Sequence, residues 1–216
     1  MTGPGLKWLD AVRRTWLLYH LADPDFAFMY DAPPDGEWVA LDTETTGLDV
    51  RNDQVVSIGA VRIVGNRLLT SQRLELLVRP ERAISAASVR VHQLRERDVA
   101  HGLGQEQAMR RLLEFIGSRA LVGYYLEFDV AMLNREIWPV LGVRLPQPKI
   151  EVSSMYYDWR NRQLPPHERG NVTIDLRFAT MMRDLDLPMR GAHDALSDAV
   201  MAGLAFVKLR RLLSPP

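Results

Sequence analysis

Between residues 37 and 78 the chain offers three extended runs in a row. They are 37–44 (EWVALDTE), 54–64 (QVVSIGAVRIV) and 67–78 (RLLTSQRLELLV). Only Gly65-Asn66 separates the last two, a pair suited to the tight turn of an antiparallel hairpin. A meander of this kind has to bury at least one face, and the chain that follows supplies the cover. Residues 104–117 place Met109, Leu112, Leu113 and Ile116 on one helical face, and 120–125 (ALVGYY) reads as a buried strand. Helices are expected over 128–141, 173–185 and 194–212, with a short strand near 149–153. A meander followed by alternating strands and helices predicts an α/β fold, a mixed sheet flanked by helices.

Two segments lie outside this pattern. Residues 4–21 read as a helix with Trp8, Leu9, Val12, Trp16 and Leu17 at helical spacing. Its stripe suits docking on the domain's own surface or, second, against a partner. The Pro- and Asp-rich stretch 23–36 reads as a linker or extended arm. The expected division is therefore 1–36, a helix and arm, and 37–212, the main domain. The polar stretch 158–172 (DWRNRQLPPHERGNV) reads as a loop. Its Arg160, Arg162, Arg169 and Trp159 allow a phosphate-contacting flap as well as an ordinary solvated loop.

Composition narrows the chemistry. With 216 residues, 47% of them hydrophobic, the chain can bury one good core. It has no cysteine, which excludes disulfides and thiolate metal sites and leaves oxygen or histidine to hold any metal. The 27 basic residues balance 27 acidic ones, which argues against a coat protein held on nucleic acid by bulk charge. No stretch approaches the roughly 20 apolar residues of a membrane helix, and the N-terminus lacks a signal-peptide pattern. A cytoplasmic location without membrane contact is expected; oligomeric state is left open.

Three acidic elements carry the functional reading. DTETTGL (42–48) ends the first strand, and alternation puts Asp42 and Glu44 on one face. That strand end is where open α/β sheets place ligands. FDVAMLNRE (128–136) puts Asp129 where a buried strand hands over to a helix. GAHDALSDA (191–199) offers Asp194 as a helix N-cap, with His193 in the loop before it and Asp198 in the first turns. Singly, each has an ordinary explanation: a solvated strand end, a cap, a surface histidine beside an acid. Together they assemble four carboxylates and a histidine. Such a group suits hard divalent ions bound through oxygen, with an imidazole near neutral pKa to take a proton.

In order and spacing, DTETTGL, FDVAML and HDALSDA resemble the three motifs of the DEDDh family of 3′→5′ exonucleases. The epsilon proofreading subunit of bacterial replicative polymerase, RNase T and oligoribonuclease belong to it. The resemblance covers roughly residues 37–212, and ISAASVRVHQL (84–94) adds to it. It implies an RNase H-like, mixed five-stranded sheet flanked by helices. It implies Asp42, Glu44, Asp129 and Asp198 as ligands of two Mg²⁺ or Mn²⁺ ions, and His193 as general base. The histidine rather than tyrosine subfamily follows from Asp194, which stands four residues before the last aspartate where the other branch has Tyr. Thr45, Thr46 and Leu48 would line the pocket of the 3′-terminal nucleotide, with Val91, His92 and Phe128 on its sugar and base. The implied partner is a single-stranded or frayed 3′ end, and polymerase subunits are a further partner that epsilon-like members suggest.

One departure stands out. Family members commonly carry His-Asn after the glycine that precedes the FD motif, and here the sequence is Gly123-Tyr124-Tyr125. Stacking of a tyrosine on a base would replace those polar contacts, and strand alternation predicts that only one of the two faces substrate. A DNA-directed, epsilon-like activity is the leading reading. An RNA-processing exoribonuclease and a non-catalytic nucleic-acid-binding module on the same fold are the alternatives.

Overall fold

A computed structural model of the chain describes residue 12 and residues 14–189, 191 and 193–214. Helix α1 covers 14–20 of these, and a 3-10 helix follows at Pro24–Tyr30. The meander comes next: β1 (Glu37–Thr45), β2 (Val55–Val64) and β3 (Arg67–Leu77). Gly65 takes φ +59° at the first position of the β2–β3 turn, a conformation that glycine adopts without steric cost. Two short helices, α2 (Ala86–His92) and α3 (Glu96–Val99), lead to α4 (Gln105–Ile116). The chain then runs through β4 (Ala120–Gly123), α5 (Leu126–Leu141), β5 (Lys149–Glu151), α6 (Val152–Gln163), α7 (Phe178–Asp184) and α8 (Ala195–Leu213).

The sheet order is β3-β2-β1-β4-β5. The meander pairs are antiparallel, whereas β4 runs parallel to both β1 and β5. The expected mixed five-stranded sheet is therefore present, and a core lies on each face. Val39 and Leu41 of β1 join the core built with α4 and α5, while Ala40 joins the one built with α6, α7 and α8. This alternation continues into the functional end of β1, where it sorts the side chains between the two helical layers. No helix among the described residues is long and apolar enough to cross a membrane.

Four local expectations change. The stretch read as an extended arm contains the 3-10 helix, whose Phe26 and Met29 are buried in the core under α4 and α5. Pro24 at its start, the Asp23 cap and an Asp23–Arg110 ion pair of 2.7 Å fix it. Burial of two such side chains, at about 1.5–3 kcal/mol each, outweighs the local preference for an open chain. Strand β4 stops at Gly123 rather than 125, because Tyr125 turns to φ +53° and caps α5. Helix α6 takes the first part of the expected 158–172 loop, running to Gln163. Glu151 caps it, Tyr156 buries its inner face, and Leu164 leaves it because a residue before proline disfavours helical backbone. Helix α7 begins only at Phe178, since Asp175 engages Arg177 and Thr180 instead of entering a helix.

Of the expected 4–21 helix, Trp8 and Leu9 lie outside the described residues. The remainder docks through Leu17 and Leu18, while Val12 and Trp16 face solvent. Ala22 closes the contact by donating its N–H to the Leu141 carbonyl at the end of α5, at 2.8 Å.

Candidate active site

The site lies at the C-terminal end of β1, between α5 and α8. Asp42 and Glu44 leave the strand on the α8 side, and Thr43 between them points to α5. Helix α8 starts with Asp194 as N-cap, its carboxylate accepting the Ser197 N–H at 3.0 Å. One turn on, Asp198 reaches back toward the strand. Carboxylate oxygens of Asp42, Glu44 and Asp198 lie within 4.8 Å of one another, a group able to hold a metal ion. A glycine permits this approach. Gly59 on β2 pairs with Asp42, and a Cβ there would overlap the backbone of Ala195 and Leu196.

Asp129 comes from the other layer. It is buried in the first turn of α5, and its Oδ1 accepts the Thr43 N–H at 2.9 Å and the Thr43 hydroxyl at 2.6 Å. It stands beside the trio rather than within it, and among the neighbouring carboxylates its charge acts most strongly on Asp42. The electrostatics of all four acids run one way. Burial, then repulsion from Asp129, Asp198 and Glu44, pushes the Asp42 carboxyl well above the ordinary range. Burial and repulsion from Asp198 raise Glu44 to about 8. Burial raises Asp129 to about 7 even though the two Thr43 hydrogen bonds favour its charged form. Asp198 is raised by burial as well, partly offset by the His193 N–H. Clustered acids with no Lys or Arg acting on them, only His193 on Asp198, fit a divalent cation: hard oxygen donors, excess negative charge and a desolvated setting.

His193 is exposed, sits at φ +71°, and donates its backbone N–H to Asp198 Oδ2 at 3.1 Å. Left-handed backbone is uncommon outside glycine, and histidine is one of the residues that adopts it more readily. The loop thus ties the histidine to the last carboxylate.

A cleft of about 610 Å³ opens beside the acids. Asp42 and Asp129 form part of its wall, with Leu48, Tyr124, Tyr125 and Phe128 around them. Leu48 is 84% exposed at its rim. Tyr124 is half-buried, donates its hydroxyl to the Leu176 carbonyl at 3.0 Å and packs on the Phe178 ring at 4.7 Å. Tyr125 is 61% exposed, with its ring 4.5 Å from that of Tyr124. One tyrosine is anchored and the other is open, although a helix cap rather than strand alternation makes the difference.

Other expected contact residues sit further back. Thr45 and Thr46 are buried; the Thr45 hydroxyl donates to the Gly47 carbonyl and the Thr46 hydroxyl to Asp53, at 2.6 and 2.8 Å. They shape the turn that presents Leu48. His92 is buried too. The Leu94 N–H donates to its Nδ1, so its Nε2–H faces the Thr45 carbonyl at 3.2 Å. Val91 is 48% exposed next to it.

Sequence reasoning missed four supporting residues: Thr43, Asp53, Gly59 and Glu151. Glu151 accepts the N–H groups of Tyr125 and Leu126 at 3.1 and 2.9 Å and also caps α6, so it fixes the start of α5 on which Asp129 rides. An acid between a short strand and a helix is a capping signal. Gly59, in the middle of a strand, reads only as a close backbone approach of unknown partner.

A mixed five-stranded sheet with clustered acids at the end of its first strand defines a nuclease-type site. The chain belongs to the exonuclease family whose model, RNase_T, matches residues 39–206, and within it to the DEDDh type of 3′→5′ exonuclease. The chain is 31% identical over 176 residues to the DNA polymerase III subunit epsilon-like protein of Rhodobacter capsulatus, across 80% of this chain and 23% of that protein. It is 33% identical to DNA polymerase III subunit epsilon of Rickettsia felis, across 79% of this chain and 72% of the relative. The chain therefore spans less than a quarter of the first relative's length. Among solved structures, the zinc-bound E. coli ExoI–ssDNA complex superposes with a TM-score of 0.67 at 14% identity, over 82% of this chain and 41% of that one.

Proposed function

We propose that the protein removes nucleotides one at a time from the 3′ end of DNA, using two divalent cations, Mg²⁺ or Mn²⁺, and His193 as general base. The observation that carries this reading is the convergence of Asp42, Glu44 and Asp198 from two elements, with Asp129 against them, in a desolvated pocket that pushes every one of them toward its neutral form. A protein keeps such mutually repelling acids where a cation is to be held. Asp42, Glu44, Asp129 and Asp198 would hold the pair. The chemistry two cations supply in such a site is charge stabilisation at the attacking and leaving oxygens of a phosphodiester.

The chain's own groups do the rest. His193 takes the proton of the attacking water, the part of a general base held beside the last carboxylate. Its N–H bond to Asp198 keeps it beside the last carboxylate. Leu48, Phe128 and the open ring of Tyr125 receive the terminal nucleotide, and Tyr124, fixed by Leu176 and Phe178, backs Tyr125. Thr45, Thr46 and His92 act behind that surface by holding the turn. DNA as substrate rests on the relatives, a DNA polymerase III subunit epsilon and an epsilon-like protein, and those relatives also suggest polymerase subunits as partners.

The test is release of mononucleotide from 3′-labelled single-stranded DNA and RNA of one sequence, with Mg²⁺, with Mn²⁺ and after chelation. The proposal expects metal-dependent release, faster from DNA. Faster release from RNA would reassign the substrate, and no release from either would remove the enzymatic reading.

A further inference from the structure

We propose that a second groove, along helix α5, binds the nucleic-acid strand behind the reacting nucleotide. This rests on the exonuclease reading and extends it from a terminal pocket to a track. The groove has a volume of about 650 Å³ and shares Glu127 with the catalytic cleft, so the two adjoin. Its lining continues from elements that build that cleft. Val50 follows the turn that presents Leu48, and Ala131, Arg135 and Trp138 follow Phe128 along α5.

Three observations point to a single strand as the occupant. The first is charge: Arg135, Arg144 and Lys149 line the groove against one acid, Glu127, and Lys149 stands 3.8 Å from that acid. Arg144 is exposed and, among the described residues, makes no ion pair. Arg135 directs one guanidinium nitrogen to the Val50 and Asp53 carbonyls rather than to a carboxylate. This local surplus contrasts with a chain whose formal net charge is zero. The second is an aromatic: Trp138 is 56% exposed on the groove, a large flat ring on which any base can stack. The third is reach. Ten residues of helix separate Phe128 from Trp138, roughly 15 Å of rise, which matches about four stacked nucleotides at roughly 3.4 Å each. Positive charge that follows a backbone and a ring that accepts any base are the means of single-strand binding without sequence preference.

The experiment uses the full chain carrying Asp42→Asn, which stops cleavage, and reads anisotropy of a fluorescent single strand about ten nucleotides long. Trp138→Ala should weaken binding about 5- to 150-fold, the range for loss of one stacked base. Arg144→Ala should lower the slope of log affinity against log salt by about 0.7, one phosphate contact on a single strand. Both side chains are exposed, and an unchanged melting temperature confirms that the fold is kept. In the cleaving protein, Trp138→Ala should raise KM for the ten-nucleotide strand by a similar factor, about 5- to 150-fold, and leave KM for a dinucleotide, which fills only the catalytic cleft, nearly unchanged. Unchanged affinity and salt slope in both variants, or equal losses on the long and short substrates, would overturn the groove. The binding measurement does not need catalysis, so it stands apart from the exonuclease test: a protein that binds through the groove and never cleaves would contradict that reading alone.

Discussion

The carboxylate cluster and the turn next to it are built from similar material and end in opposite states. In the turn, residues 45–54, every buried polar side chain finds a partner in the chain. Thr46 donates to Asp53, Asp53 accepts the Asp49 N–H, and Gln54 accepts from the N–H groups of Glu81 and Arg82. In the cluster, Asp42 and Glu44 are pushed toward neutrality by burial and by each other's neighbours. One acidic region closes on itself, and in the other Asp42, Glu44 and Asp198 gather their oxygens into a group able to hold a metal ion. That difference separates a structural acid from a ligand more surely than exposure or motif.

The comparison breaks most visibly by removing one acid from each region. Asp42→Ala should cut the cleavage rate at least 100-fold, since loss of a metal ligand removes several kcal/mol of transition-state stabilisation. The same variant should melt no lower than wild type in chelator, because repulsion is relieved. Asp53→Ala should do the reverse: about 1–3 kcal/mol of stability is lost with its unsatisfied partners, and cleavage persists at reduced rate. Melting in chelator and single-turnover rates on the pair decide it. A destabilised Asp42→Ala with retained activity would erase the distinction.

His193→Ala should lower kcat by about 10²–10⁴, and the gap should narrow from pH 6 to pH 9 as hydroxide becomes available. Parallel rate profiles with a small constant offset would show that His193 is not the base. Gly59→Ala sharpens the comparison from the scaffold side. A methyl there meets the start of α8, so it should shift Asp198 and cost about 1–3 kcal/mol of stability. Activity should fall roughly tenfold or more, since a displaced ligand spoils the geometry. A rate within twofold of wild type would mean that the helix start adjusts freely. At Tyr125 the effect is expected on binding and not on the chemical step. Tyr125→Ala should raise KM about 5- to 150-fold with kcat nearly unchanged, because stacking acts on ground and transition states alike. A fall in kcat at constant KM would put that tyrosine in the chemistry.

Much of the arrangement was legible because it follows from short-range rules. Alternation along β1 placed Asp42 and Glu44 together, and an Asp194 cap put His193 before α8 and Asp198 inside it. What was hidden depends on tertiary contact. The left-handed turn at Tyr125 is set by Glu151, 26 residues away, and nothing in ALVGYY announces it. Thr43 reads as an ordinary strand residue until Asp129, 86 residues on, accepts two hydrogen bonds from it. The 3-10 helix at 24–30 reads as an arm because proline and aspartate dominate locally, whereas Phe26 and Met29 decide its place.

The central claim is that the cluster awaits a cation, and stability against pH tests it most directly. Glu44 and Asp129 titrate near 8 and 7 in the metal-free fold, against ordinary values of 4.5 and 3.8. Between those limits the unfolded chain has released protons that the folded chain still holds. Metal-free stability should therefore fall as pH rises from about 5 to 8. Mn²⁺ binds the ionised acids of the folded state, so it should raise the melting temperature more at pH 8 than at pH 5. A metal-free stability that is flat or rising across that range, together with an Mn²⁺ effect that is absent or equal at both ends, would contradict the account.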